Sequence, residues 1–214
     1  MPSLNGDTRA LGVLQRFVKR KSDTEERCEL CSAPLRGAHQ HLWEITKRQA
    51  VCSCDACAIL FSDQSGPRFR RIPRDIRSLA AFALSDEQWP SLNIPVDVAF
   101  FYRDTNAGRT IAMYPSPAGA TESALTFDSW TELENDNTVL ATMQPDVEAL
   151  LVRRGRAAHK HYLVPIDECY RLVGLIRMHW RGLSGGSEVW SEINRFFDDL
   201  DHRARPAREE AAHA

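Results

Sequence analysis

Five of the six cysteines fall between Cys28 and Cys57, in the segments CELC and CSCDAC. Cys28 and Cys31 form one CxxC pair and Cys54 and Cys57 a second, with 22 residues between the pairs. A CxxC turn brings two sulfurs to one ion, and two such turns complete a tetrahedron. Thiolate is the soft, charged donor that Zn²⁺ or iron prefers. The spacing therefore predicts a four-thiolate metal site made by Cys28, Cys31, Cys54 and Cys57. Four protein ligands leave no position for water, so the site is expected to be structural and not catalytic.

Zinc is the expected ion and iron the alternative. Rubredoxin-like iron knuckles commonly carry glycine after the second cysteine and often proline inside the pair. Here Ser32 and Ala58 follow the pairs, and neither pair contains proline. Cys52 complicates the ligand set. On an extended segment Cys52 and Cys54 point to the same face, so Cys52 can replace Cys54 or Cys57, or stand as a surplus, redox-active thiol. CxxC closure favours Cys54 with Cys57. His39 and His41 are substitute ligands in principle, and with enough cysteines present they read as polar hairpin residues.

Nothing comparable marks a catalytic site. Cys169 lies on the apolar side of a helical pattern and reads as a small buried hydrophobe. His159, His161 and His179 have no companion nucleophile motif; GxSxG, HExxH and the P-loop pattern are missing from the sequence. No catalytic residue is assigned, and a non-enzymatic protein is the favoured reading.

The elements that must position the cysteines can be read around them. His41–Ile45 and Ala50–Cys52 predict two short strands about the turn at Thr46–Gln49, and Cys54–Phe61 has helical character. Knuckle, hairpin and helix start together resemble a treble-clef zinc site, with a plain zinc ribbon if no helix forms. Ahead of them, Leu11, Leu14, Phe17 and Val18 predict an amphipathic helix over Thr8–Lys21. Behind them, RFRRIPRDIR places five arginines between Arg68 and Arg77, read as a solvated or partner-facing patch.

Further along, Ser85 is a candidate N-cap of a short turn that stops at Pro90. Val96–Tyr102 and Arg109–Tyr114 predict a hairpin, and PSPAGATES (115–123) a loop of small residues. A short helix is expected over Phe127–Leu133, and strands over Val147–Val152 and His161–Ile166, the latter bent or at a sheet edge because of Pro165. Asp167–Trp180 predicts a helix with Asp167 as N-cap. A last helix from Ser187 carries Val189, Trp190, Ile193, Phe196, Phe197 and Leu200 on one stripe. The fold class is thus α+β: a small treble-clef or zinc-ribbon module, then an antiparallel sheet with helices packed on one face. The expected spans are an N-terminal arm at 1–22, the Cys₄ module at 23–66, an α+β domain at 67–202 and a disordered tail at 203–214.

Bulk properties bound the function. The chain has 214 residues, 43% hydrophobic, 26% charged, with a net charge of −2. Residues 1–79 hold 14 Lys/Arg against 9 Asp/Glu, and residues 80–214 hold 13 against 20. No global positive field calls for nucleic acid, and no apolar run approaches the roughly 20 residues that span a bilayer. The N-terminus shows no secretory pattern, so a cytoplasmic protein with reduced thiols is expected.

The segments RCELC, CSCDAC, FALSDEQW, IPVDVAFFYR, YPSPAGATES, VEALLVRR, YLVPIDECYRLVGLIR and WRGLSGG together resemble an uncharacterised bacterial family. Its genes often sit beside those of oxygen-tolerant, high-affinity nickel-iron hydrogenases. The resemblance covers roughly residues 27–200. It implies an accessory protein whose partner is a nickel-iron hydrogenase subunit or maturation factor. It implies no catalytic residue. The alternatives are a rubredoxin-like iron redox protein of the same system and a zinc-ribbon nucleic-acid binder using Arg68–Arg77.

Overall fold

The structure is a computed structural model that describes residues 26–62, 68–155, 159–182 and 184–207. The arm at 1–22, with its expected helix, lies outside these residues, as does the tail from 208 onward.

Two sheets carry the fold. In the first, β1 (Gln40–Glu44) pairs antiparallel with β2 (Gln49–Ser53) on one side and with β3 (Phe69–Arg71) on the other. β3 comes from the arginine-rich stretch, beyond the 23–66 span expected for the Cys₄ module. Helix α1 (Asp55–Ser62) follows β2 directly. It lays Ala58 against Leu42, Val51 and Phe69, which make a small separate core.

The second sheet has seven strands in the order β10-β4-β9-β8-β5-β6-β7. They are β4 (Arg77–Ser78), β5 (Val98–Asp104), β6 (Arg109–Ser116), β7 (Gly119–Ser123), β8 (Glu148–Arg153), β9 (Lys160–Pro165) and β10 (Arg205–Pro206). Every neighbouring pair is antiparallel except β10 with β4. β5 and β8 lie centrally, so VAFFY and EALLV are continuous buried runs without polar alternation.

Three further helices complete the mixed α+β architecture: α2 (Phe127–Asp136), α3 (Ile166–His179) and α4 (Gly186–Arg203). Helices on one face only were expected. Instead both faces of the large sheet are covered. α3 and α4 bury Cys169, Leu172, Ile193 and Phe197 against Phe100, Tyr102 and Leu151. On the other face, Trp130 and Leu133 of α2 and the 3₁₀ turns Trp89–Leu92 and Thr138–Thr142 pack on Phe101, Leu150 and Leu163. Alternate residues of β5 and β8 point to opposite faces, and Val98–Tyr102 and Ala149–Val152 are all apolar or aromatic, so each face needs its own cover.

Other expectations shift locally. The 115–123 segment is not a loop: β6 runs to Ser116, and β7 returns at Gly119, where φ is +132°. Ser116 Oγ closes the turn, accepting from Ala118 N at 3.2 Å and donating to Gly119 O at 2.9 Å. The chain also stays ordered beyond His202, with α4 reaching Arg203 and Arg205–Pro206 pairing with Arg77–Ser78. β9, with its terminal Pro165, lies inside the sheet between β8 and β4. Pro165, not Asp167, occupies the N-cap position of α3. No helix among the described residues is long and apolar enough to cross a membrane.

The small sheet is docked on the large one. Trp43 of β1 is 1% exposed and belongs to the core beneath α3 and α4, with its ring 5.5 Å from that of Tyr170. Leu42, one residue earlier, serves the small core instead. Around this contact, Arg48 Nε donates to Asp104 Oδ2 at 2.6 Å and Arg70 Nε lies 3.0 Å from Asp146 Oδ2. β1 therefore joins the two cores by strand alternation alone.

Candidate metal centre

The first knuckle is closed by its own backbone. Cys28 N donates to Ala33 O at 2.8 Å, and Ser32 N donates to Cys28 O at 2.7 Å. Closure places Ser32 at φ +63°, the left-handed region that costs an L-residue with a Cβ roughly 1 kcal/mol. The second knuckle is a helix start, with Ala58 N donating to Cys54 O at 2.9 Å. Glu29 links the knuckles' supports: its N–H donates to Cys52 O at 2.9 Å, and its Oε1 accepts from Cys52 N at 2.7 Å.

These turns bring the sulfurs of Cys28, Cys31, Cys54 and Cys57 within 4.8 Å of one another. Cys31 Sγ and Cys54 Sγ are 3.7 Å apart. A tetrahedral site with sulfur about 2.3 Å from zinc separates its sulfurs by about 3.8 Å. The cluster thus has the dimensions of a four-thiolate site, and four cysteines so placed can bind a metal ion. Cys28 and Cys57 are buried, Cys54 is half-buried and Cys31 is exposed, so an ion there has its inner side sealed by protein.

The electrostatics favour a cation. Burial would raise the Cys28 thiol, but N–H groups of Cys54, Leu30 and Cys31 outweigh it and bring its pKa down to about 6. Burial, then contact with Cys31, Cys54 and Cys28, pushes Cys57 far above the ordinary thiol value. Cys31 is also raised: the Ala33 N–H lowers it, and the neighbouring Cys28 and Cys54 more than reverse that. The Cys28 thiolate thus forms readily, while the thiols of Cys31 and Cys57 beside it are raised. A metal ion removes that mutual repulsion and lets all four ionise.

Cys52 is not among the four. It faces His41 across the β1–β2 ladder, and Cys52, His41 and His39 form a separate group with ligand atoms within 4.8 Å. The histidines had read as polar hairpin residues. The available signal was the His-x-His spacing, which puts both rings on one face of a strand. Asp167, expected as a helix cap, instead accepts from His41 Nδ1 at 2.6 Å through Oδ2. Asp167 is 126 positions beyond His41, and no local pattern announces that contact.

The other singled-out groups have structural surroundings. Cys169 is fully buried, and burial raises its thiol well above the ordinary value. His161 packs against Phe82, and burial, then His159, lowers its pKa to about 4. Of the arginines at 68–77, Arg68 and Arg77 donate to Glu44 and Glu148, and Arg70 pairs with Asp146. Arg71 bonds the Gln40 amide and Arg74 the His39 carbonyl. A cavity of about 490 Å³ beside α2 is lined by Arg103, Arg109, Phe127 and Trp130. Its arginines are paired with Glu134 and Glu122.

Comparison with curated proteins and with solved structures gave no match. A protein family described as a family of unknown function (DUF5947) matches residues 27–204, from the residue before the first knuckle through the end of α4. Both knuckles, all four helices and every strand except β10 fall within that span, and the chain belongs to this family of unknown function.

Proposed function

We propose that Cys28, Cys31, Cys54 and Cys57 hold one zinc ion in a structural, treble-clef-type site, and that the protein is a non-enzymatic accessory factor acting through protein contacts. The observation that carries this reading is the convergence of four sulfurs from a knuckle and a helix start, within 4.8 Å. Four thiolates complete the zinc shell and leave no place for a substrate. The surface beside the site supports protein contact: on α1, next to Cys57, Ile59 is 69% exposed and Leu60 is 62% exposed. On the resemblance set out above, the partner is a nickel-iron hydrogenase subunit or maturation factor in the cytoplasm. Ser32 after the first knuckle, in place of glycine, supports zinc over iron.

Metal analysis of aerobically purified protein tests the first part. Colourless protein that loses one equivalent of zinc on Cys28→Ser supports it, and a red, reducible iron centre contradicts it. Affinity capture from the native host tests the second. Recovery of a hydrogenase component by the wild-type chain, abolished by Ile59→Ser with Leu60→Ser, supports it. A stable bait that recovers no such component counts against it.

A further inference from the structure

We propose that His39, His41 and Cys52 form a second metal site, which takes one divalent transition-metal ion and keeps a coordination position open. Its ligands are distinct from the Cys₄ set, so it stands or falls independently of the zinc site above.

His39 Nδ1 lies 3.2 Å from Arg36 O, and His41 Nδ1 lies 2.6 Å from Asp167 Oδ2. A carbonyl oxygen and a carboxylate oxygen accept, so both Nδ1 atoms donate. Each neutral ring is thereby fixed as the Nδ1–H tautomer, with its lone pair on Nε2. Those two Nε2 atoms face each other at 3.2 Å. Two lone pairs at that distance repel unless a proton or a metal ion stands between them. A tetrahedral site with nitrogen about 2.05 Å from the metal separates two nitrogens by about 3.3 Å.

The third donor is in place. Cys52, paired across the ladder with His41, brings its Sγ within 4.8 Å of both histidine ligand atoms. Two imidazoles and a thiolate make a donor set for zinc, cobalt, nickel or copper and a poor one for magnesium or calcium. The outer groups also suit a cation. Asp167 orients His41 as a carboxylate behind a metal-bound imidazole does, and its Oδ1 is buried with no hydrogen-bond partner. Glu26 Oε2 lies 3.5 Å from His39 Nδ1, and Glu29 accepts from Cys52 N. Arg74, which donates to His39 O at 2.6 Å, is an opposing charge in direct contact with the cluster. All three ligands are only partly buried, so a fourth donor (water or a group from a partner) can reach the ion.

The test uses the full chain loaded with zinc, and in parallel with Co²⁺ as a spectroscopic probe. The expected result is two equivalents of tightly held metal in the wild type and one in both Cys52→Ser and His39→Gln, with thermal stability confirming that the variants fold. The Co²⁺ difference spectrum between wild type and Cys52→Ser should contain one thiolate-to-metal charge-transfer band and tetrahedral ligand-field bands. Two results overturn the proposal. In one, wild type and both variants bind the same single equivalent, and the histidines merely share a proton. In the other, wild type binds two and both variants still bind two, which places the second ion elsewhere.

Discussion

Replacing Trp43 with alanine tests whether the metal-bearing sheet is pinned to the large one. Trp43 is 1% exposed and packs within the core that contains Phe100, Tyr102 and Leu172, against the ring of Tyr170. A buried aromatic removes about 150–250 Å² from water. At about 25 cal/mol per Å² that is roughly 4–6 kcal/mol, an upper value because unfolded chains already bury part of that surface. Phe or Trp to Ala changes in cores cost about 3–5 kcal/mol, so a loss of about 4 kcal/mol is expected. Urea denaturation followed by far-UV circular dichroism measures it. Trp43→Leu, which keeps part of the volume, should lose about 2 kcal/mol and secures a folded variant. A double-mutant cycle with Tyr170→Leu should return about 1 kcal/mol of coupling. A loss below 1 kcal/mol in Trp43→Ala would refute the reasoning, because the two sheets would then not share a core through this side chain.

The remaining predictions concern the site and its supports. Cys57→Ser removes one of four thiolates, roughly a quarter of the ~10–16 kcal/mol that structural zinc contributes, and should weaken zinc binding at the Cys₄ cluster by about 10²–10³-fold in a chelator competition. Cys169→Ala should leave the metal content unchanged. Ser32→Val forces a β-branched residue into φ +63° and should cost about 1–2 kcal/mol, whereas Ser32→Gly should be neutral or slightly stabilising in thermal melts. Acid should weaken the first sheet through Glu44. Burial raises that carboxyl, but the bonds and charges of Arg68 and Lys47 outweigh it and hold its pKa below the ordinary value of 4.5. A lowered folded-state pKa means that this contribution is present above 4.5 and lost as pH falls through the folded value. Glu44→Gln should therefore flatten the fall in Tm below about pH 4.5 relative to wild type.

What could be read from the residues was whatever has a short-range signature. The two CxxC turns, the β1–β2 hairpin and the stripe on α4, from which the exposed Trp190 drops out, all depend on spacing within a dozen residues. The N-cap of α2 is Thr126, whose side chain accepts from Ser129 N. β3 was hidden because only Phe69 marks the core side of a strand otherwise made of arginines. Arg70 is matched by Asp146, 76 residues downstream, and Arg71 bonds the Gln40 amide. β7 was hidden by Gly119, Ala120 and Thr121, too small to show alternation, and by the prolines before them. β10, with the sequence Arg205-Pro206, carries no apolar signal and exists because β4 offers it an edge. The second face of the large sheet could not be anticipated from α2, whose weakly apolar sequence gives little sign that Trp130 and Leu133 cover Phe101 and Leu150. The His39–His41–Cys52 group depends on strand register and on Asp167, both fixed only by tertiary structure.

The central claim is that four thiolates enclose one zinc ion. X-ray absorption at the zinc edge on Cys52→Ser protein tests it most directly, because that variant keeps the Cys₄ cluster and loses a ligand of the second site. The account predicts one equivalent of zinc with four sulfurs at about 2.3 Å. A shell with nitrogen or oxygen in place of two or more sulfurs, or protein that folds with no stoichiometric zinc, would contradict it.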